Sequence, residues 1–209
     1  MSCIRQQTIE EFLQQLASRA PTPGGGSAAA LMGAQAAALL GMVCNLTIGK
    51  KQYSAVEEDM QALLNRSEAL REELTDAIEA DVKVFNEVMA AYRLPRENIQ
   101  QQSVRNAAVQ QALRTATDVP LQCARACAEL IQLSRTAAGK GSRNVVSDAG
   151  VAVMSAHAAL QSAALNVFIN IGSIQDRQFA DVRKDELENI MQGASEATEE
   201  IYQLVRSRL

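Results

Sequence analysis

The sequence predicts an all-α fold, a single-domain bundle of long helices that includes two buried, alanine-rich helices. Two observations support this class. Hydrophobic residues make up 47% of the 209 residues, but aromatic residues make up only 3% and tryptophan is absent. A core built from Ala, Leu, Val, Ile and Met favours helix-on-helix packing over a β-sandwich, and no segment shows convincing strand alternation. The length requires no more than one domain, which we expect to span residues 1–209.

The first two helices are predicted from capping and breaking signals. Thr8 begins a Thr-Ile-Glu-Glu capping box, and the helix that it caps is expected to end near Arg19. The Pro- and Gly-rich stretch 21–26 interrupts helical hydrogen bonding. We expect Ser27 to open the next helix, which continues over residues 28–48.

This second helix is nearly uncharged and long enough to raise the question of a membrane span. It is rich in Ala and Gly rather than Leu and Ile, and it carries Gln35 and Asn45. We therefore interpret it as a helix buried in the centre of a bundle or a dimer. Small residues recur at four-residue spacing and predict that another helix lies very close, namely at Gly33, Ala37 and Gly41.

A long amphipathic helix is predicted from Ser54 to Tyr92, after a polar turn. At 1.5 Å per residue it would extend roughly 55 to 60 Å, which exceeds one compact subunit and argues for a partner chain. The later helices are expected over about 103–117, 120–138, 147–171 and 176–208.

Charge and cysteine content limit the classes of partner. The net charge is −4 and no dense Lys/Arg block is present, so we do not expect nucleic acid binding. The N-terminus has no basic-then-apolar signal pattern, which favours a cytoplasmic protein with no membrane partner. Cys123 and Cys127 lie four residues apart, but the chain has one histidine, so small buried apolar residues are favoured over a metal site.

Three groups of residues are candidates for ligand binding. The first is the glycine loop, Gly24, Gly25, Gly26 and Ser27, whose backbone N–H groups can hold an anion or a carbonyl oxygen. A helix break needed for tight packing explains the loop equally well. It is not a Walker loop, because the Gly-Lys-Ser/Thr ending is absent.

The second group is a polar stripe on the apolar helix 147–171. Ser147 and Asp148 stand at its start, and later polar residues fall on the face of Asp148, namely Ser155, Ser162, Asn166 and Asn170. Buried polar groups without partners cost about 1 to 3 kcal/mol each, so either facing helices or a polar ligand must bond to them. We favour a ligand with a heteroaromatic ring.

The third group lies in and before the long helix. Asp81 precedes Phe85 by four residues and is expected to lie near the apolar face. A mid-helix carboxylate is usually solvated, but a buried one with a raised pKa suits proton transfer. Lys50 and Lys51, followed by Tyr53, are ordinarily solvated, but beside a pocket they would attract an anionic ligand.

Together, seven segments resemble the formiminotransferase-cyclodeaminase C-terminal family, in order and over essentially the whole chain. They are Ala20–Ala28, Leu46–Tyr53, Asp81 with Phe85, Tyr92–Pro95, Val119–Leu121, Ser147–Val151 and Ala164–Asn170. The family includes the cyclodeaminase half of a bifunctional animal enzyme and free-standing bacterial methenyltetrahydrofolate cyclohydrolases. The segments 141–148 and 162–166 look closest to the free-standing cyclohydrolases.

The resemblance implies an all-helical homodimer with a folate substrate, including polyglutamylated folate, in a cleft that needs no metal and no cofactor. Asp81 matches the position of the family's catalytic carboxylate. We expect hydrolysis of 5,10-methenyltetrahydrofolate, with cyclodeamination of formiminotetrahydrofolate as the alternative. A non-catalytic helical folate-binding or interaction protein is a third hypothesis. The expected substrate contacts are Gly24, Gly25, Gly26, Ser27, Lys50, Lys51, Tyr53, Ser147, Asp148, Asn166 and Asn170.

Overall fold

The computed structural model describes residues 4–209, so Cys3 lies outside the described residues. Within that range the chain forms seven α-helices and no strand, which confirms the all-α class. The helices are α1 (Ile9–Leu16), α2 (Gly25–Asn45), α3 (Glu57–Tyr92), α4 (Ile99–Lys140), α5 (Val146–Gly172), α6 (Arg177–Met191) and α7 (Ala194–Arg206). Short 3₁₀ turns cover Ile4–Gln6, Lys51–Val56 and Arg143–Val145.

The predicted capping box at α1 is confirmed. The Thr8 hydroxyl accepts a hydrogen bond from the Glu11 N–H, and the Glu11 carboxylate accepts one from the Thr8 N–H at 2.7 Å. The helix ends at Leu16 rather than near Arg19. The helix α2 begins at Gly25 with Gly24 as its N-cap, so the prediction that Ser27 opens it was wrong. Ser27 lies in the first turn of α2, and its hydroxyl bonds to α3 instead of capping the helix.

A second correction concerns α4, which was predicted as two helices separated before Pro120. It is one helix of 42 residues with Pro120 inside it. A proline has no N–H, so it leaves the carbonyl oxygen four residues earlier without its helical partner. Here that oxygen belongs to Ala116, and the Asn170 side-chain amide on α5 donates a hydrogen bond to it at 2.8 Å. This bond replaces the one that Pro120 cannot make.

The C-terminal segment, predicted as one helix over 176–208, is divided into α6 and α7 at Gly193. Gly193 has φ 71°, in the left-handed region that glycine adopts readily. The break turns the chain so that α7 packs on α5, where Val205 contacts Gly150. The helix α3 has 36 residues, about 54 Å at 1.5 Å per residue, close to the predicted length.

The helices α2 and α5 form the centre of the bundle and run antiparallel. Gly25 faces Asn166 near one end, Ser155 donates to the Met32 carbonyl at 2.8 Å, and Val43 approaches Gly141 at the other end. Both helices have the length and apolarity of a membrane span, but each is packed in the bundle, with 61% of the apolar window of α2 buried. Their burial supports the interpretation of α2 as a core helix.

The predicted small-residue face of α2 is confirmed. A Cβ added at Gly33 would stand 3.0 Å from the Cys127 Sγ and 3.1 Å from Leu74 Cδ1. One added at Gly41 would stand 3.2 Å from the Glu68 carboxylate. The helix α3 therefore lies against this face, and it brings residues near position 81 to the beginning of α2.

Candidate functional site: a buried carboxylate at the start of α2

The candidate site is centred on Asp81, a half-buried carboxylate in the middle of α3. The Ser27 hydroxyl, fully buried in the first turn of α2, donates a hydrogen bond to Asp81 Oδ2 at 2.8 Å. The same hydroxyl lies 3.2 Å from the carbonyl oxygen of Ile78. Ser27 is enclosed by these two groups, so its hydroxyl is not exposed to a ligand.

Gly26 is the residue that allows Asp81 to lie so close to α2. A Cβ added at Gly26 would stand 2.1 Å from Asp81 Oδ1 and 2.6 Å from its Cγ. Real Cβ atoms do not approach other atoms so closely, so the carboxylate occupies space that any other residue at position 26 would fill. The close approach gives this glycine of the loop a specific role, beyond a general break between helices.

Burial raises the pKa of the Asp81 carboxyl above its usual range, and hydrogen bonds from the Ser27 hydroxyl and backbone N–H lower it part of the way back. Removing a carboxylate from water disfavours its charged form. A carboxyl group with a raised pKa takes up and returns a proton more readily near neutral pH than a solvated one does. A mid-helix carboxylate is ordinarily expected to be solvated. The structure shows that Asp81 is instead half-buried, with a raised pKa.

A small cavity of about 10 Å³, measured as room for the centre of a water-sized molecule, adjoins this carboxylate. Four helices supply its walls, and Asp81 is the only acid among the lining residues, which also include Gly26, Ala30, Ala77, Val119, Pro120, Cys123 and Ala163. Val119, Cys123 and Ala163 were not predicted as site residues. Their proximity arises from packing between helices, and no local sequence signal marks it.

Cys123, in the cavity wall, and Cys127, one turn further along α4, are both buried. The hydrogen bond with Cys123 and burial raise the pKa of the Cys127 thiol well above its usual value. Cys127 therefore stays a neutral thiol. Among residues 4–209, no three His, Cys, Asp or Glu side chains come close enough to share a metal ion.

The predicted polar stripe on α5 is divided between the two ends of the bundle. Asn166 lies beside the glycine loop, because a Cβ at Gly25 would stand 3.9 Å from its Nδ2. Asp148 lies eighteen residues earlier, which is about 27 Å along a helix. One pterin ring cannot contact both ends within a single chain. Asn170 is at the Asp81 end, where its Nδ2 group is occupied by the Ala116 carbonyl.

The remaining predicted contacts lie together at the other end. The Tyr53 hydroxyl accepts a hydrogen bond from the backbone N–H of Arg143 at 3.1 Å, which joins the turn after α2 to the start of α5. Lys50 and Lys51 are exposed in that turn, and Ser147 is exposed at the start of α5. The predicted site residues therefore form two clusters. The Asp81 cluster contains Gly24–Ser27, Asp81, Asn166 and Asn170, and the lysine cluster contains Lys50, Lys51, Tyr53, Ser147 and Asp148.

The fold and this site define an all-α protein in which a half-buried carboxylate meets the glycine-rich start of a central helix. A family model described as formiminotransferase-cyclodeaminase matches residues 8–189. The chain belongs to the formiminotransferase-cyclodeaminase family. The family predicted from the sequence motifs is thereby confirmed.

Three similar proteins extend this finding. The chain is 54% identical over 203 residues to a methenyltetrahydrofolate cyclohydrolase from Methylorubrum extorquens, covering 97% of this chain and 98% of that protein. It is 29% identical over 187 residues to the formimidoyltransferase-cyclodeaminase of Rattus norvegicus, covering 90% of this chain and 35% of the rat protein. The crystal structure of formiminotetrahydrofolate cyclodeaminase from Thermotoga maritima superposes with a TM-score of 0.83 at 32% identity, covering 99% of this chain and 98% of that one.

Proposed function

We propose that this protein hydrolyses 5,10-methenyltetrahydrofolate to 10-formyltetrahydrofolate in one-carbon metabolism. The observation that carries the proposal is the Asp81 carboxyl, which is half-buried and whose pKa is raised. The 54% identity to a methenyltetrahydrofolate cyclohydrolase, over nearly the whole of both chains, supports the choice of reaction.

In the proposed mechanism, water adds to the cationic methenyl carbon between N5 and N10, and ionised Asp81 takes one proton from it. The product of this step is a neutral tetrahedral hydroxy adduct. Asp81 then returns its proton to N5 while the bond between that nitrogen and the carbon breaks. The adduct hydroxyl releases its proton to solvent and becomes the formyl carbonyl, so one water is consumed and one proton is released overall. The negative charge of Asp81 also stabilises the cationic substrate.

The residues around Asp81 have distinct proposed roles. Gly24 and Gly25 offer the exposed backbone of the helix start to the substrate, and Asn166 orients the pterin ring from α5. Gly26 and Ser27 act through Asp81, by leaving room for its carboxylate and by holding it. The Asn170 amide group donates to the Ala116 carbonyl, which Pro120 leaves without a helical partner. Substrate contact through the side-chain oxygen of Asn170 stays a prediction.

A homodimer would join the Asp81 cluster to the lysine cluster. The outward face of the antiparallel α2–α5 pair connects the two clusters and exposes large apolar side chains, namely Met42, Leu46, Val151, Met154, Leu165, Phe168 and Ile169. A continuous apolar face of this kind marks a surface that another protein covers. If a second copy packs on it about a two-fold axis, with its α2–α5 pair running in the opposite direction, the partner's lysine cluster meets Asp81. Lys50, Lys51 and Tyr53 would then hold the glutamate tail, with Ser147 and Asp148 beside them.

The proposal includes one domain over residues 1–209, a cytoplasmic location, and no metal, cofactor, membrane or nucleic acid. The net charge of −4 and the absence of a dense basic block support the last point. The burial of 61% of the apolar stretch of α2 inside the bundle supports a location outside membranes.

Cyclodeamination is the second candidate, because the Thermotoga maritima cyclodeaminase has the same fold over 99% of this chain. In that reaction N10 attacks a formimino carbon on N5, and ammonia leaves. The same carboxyl group would transfer the protons.

The first experiment follows the absorbance decay of 5,10-methenyltetrahydrofolate in a buffer where uncatalysed hydrolysis is slow. We expect protein-dependent loss that disappears in Asp81→Asn, while folate still raises the melting temperature of the variant. Unchanged turnover in Asp81→Asn would refute its assignment. Ammonia release from 5-formiminotetrahydrofolate, without methenyl hydrolysis, would favour deamination; no activity with either substrate would leave a non-catalytic folate-binding role.

The dimer is tested with Leu165→Glu, which places a charge on a side chain of the exposed apolar face of α5 that is 69% exposed. Val182→Glu on α6, at 54% exposure, is the matched control outside that face. We expect Leu165→Glu to give a monomer by sedimentation and to lose activity, while the control stays dimeric and active. A monomeric wild-type protein would contradict the proposal.

A further inference from the structure

The Ser27 hydroxyl has two acceptors and only one proton. Its Oγ lies 2.8 Å from Asp81 Oδ2 and 3.2 Å from the Ile78 carbonyl oxygen, and the residue is fully buried. A serine hydroxyl has one donor and two acceptor lone pairs, so it donates to one of these oxygens at a time. The carboxyl group of Asp81 is also the group that gains and loses a proton in the proposed mechanism.

We propose, on the basis of the proposed function, that Ser27 is a positioning residue whose hydroxyl changes its acceptor with the protonation state of Asp81. When Asp81 is ionised, Ser27 donates to the carboxylate. When Asp81 is protonated, the carboxyl O–H donates to Ser27 Oγ, and the Ser27 proton rotates to the Ile78 carbonyl. Asp81 thereby keeps a hydrogen bond in both states, and only hydrogen atoms move.

The packing around Asp81 makes this exchange useful. The space that a Cβ at Gly26 would fill is taken by the carboxylate, so Asp81 lies against the backbone of α2. A carboxylate beside an apolar cavity is costly without a donor, and a protonated carboxyl needs an acceptor in the same place. Ser27 supplies both without any movement of the helices.

Among residues 4–209, no other charged group lines the cavity. Among the described residues that form its walls on α2, α3, α4 and α5, the Cys123 thiol is the only other ionisable group. Glu79 and Lys83 lie two residues from Asp81 on α3, about 200° around the helix axis, and both are exposed. Protonation of Asp81 therefore depends on its burial and on Ser27.

The test compares Ser27→Ala with Ser134→Ala. Ser134 is also fully buried in a helix, and it donates to the Leu130 carbonyl at 2.7 Å, away from Asp81. The Asp81 carboxyl carbon is titrated by NMR in protein without substrate. Bonds to charged groups are about twice as strong as neutral ones, so Ser27→Ala should titrate about half to one pH unit higher than wild type. Ser134→Ala should titrate like wild type.

The second readout is the pH profile of methenyl hydrolysis. In Ser27→Ala the acidic limb of kcat/KM should move upward by the same amount, and kcat should fall about tenfold, which is less than the roughly 100- to 10,000-fold that loss of a general acid–base group itself costs. If Ser27→Ala does not fold, Ser27→Cys serves the same test because a thiol is a weaker donor.

The two proposals fail in different ways. An unmoved Asp81 titration in the Ser27 variant, even with lowered kcat, would show a merely structural role and overturn the inference. A shifted titration in a protein without hydrolase activity would support the role of Ser27 and refute the proposed reaction.

Discussion

Substituting Gly26 by alanine tests the site with a single methyl group. The added Cβ would stand 2.1 Å from Asp81 Oδ1, 2.6 Å from its Cγ and 2.9 Å from Oδ2. The atoms that it meets form the end of a side chain and not a backbone segment. We therefore expect Asp81 to rotate away and the fold to survive.

The expected loss of activity follows from these distances. Bringing Oδ1 from 2.1 Å to an ordinary contact requires a displacement of about 1 Å or more, and it disturbs the 2.8 Å bond from Ser27. A misplacement of about 1 Å in a catalytic group can cost roughly 100-fold in rate. Because the side chain can move, the free energy of unfolding should change by no more than about 1 kcal/mol.

Gly139→Ala is the matched control, because a Cβ at Gly139 meets nothing within 4 Å and the residue lies in the last turn of α4. It should keep full activity and gain up to about 1 kcal/mol of stability, as alanine replaces glycine in a helix. Methenyl hydrolysis measured by absorbance gives kcat and KM for both variants. Full activity in Gly26→Ala would refute the account of how Asp81 is held.

Two further predictions concern stability. Asn170→Ala should lower the free energy of unfolding by about 1 to 3 kcal/mol, since it leaves the buried Ala116 carbonyl without a donor. In a Pro120→Ala background the restored backbone N–H should donate to the Ala116 carbonyl. Asn170→Ala should then lower the free energy of unfolding much less, as measured by denaturant titration. An equal loss in both backgrounds would contradict the proposal that Asn170 replaces the missing backbone hydrogen bond. The pKa of the Asp81 carboxyl is higher in the folded protein than in the unfolded chain. The stability that this difference contributes is complete below the unfolded carboxyl pKa of about 3.9 and is lost as pH rises through the folded value. Asp81→Asn should therefore melt above wild type at pH 7, with a difference that shrinks as pH falls towards 4; a constant difference would argue against this titration.

Features that depend on a few neighbouring residues were predicted correctly from the sequence. The capping box at Thr8 and the spacing of Gly33 and Gly41 were visible in a few residues, and the structure confirms both. Pro120 was misjudged because the group that replaces its missing hydrogen bond, Asn170, lies fifty residues later in the chain. The break at Gly193 was missed because the charged periodicity continues on both sides of it.

The site was predictable by residue type but not by arrangement. Asp81 and the glycine loop were both identified, yet their contact depends on the packing of α2 against α3, which joins positions 54 residues apart. The polar stripe on α5 was predicted as one surface because helical periodicity shows which residues share a face of the helix. It does not show how far apart those residues lie along the helix axis. The structure divides that stripe between two ends, about 27 Å apart.

The pairing of α2 with α5 has a consequence during synthesis. The two residues joined by the Ser155 to Met32 hydrogen bond are 123 positions apart. At about 5 to 20 residues per second, roughly 6 to 25 s pass between their emergence from the ribosome. The side of α2 that faces α5 is thus made early and covered late. During that interval α2 resembles the segments that chaperones and membrane-insertion machinery recognise.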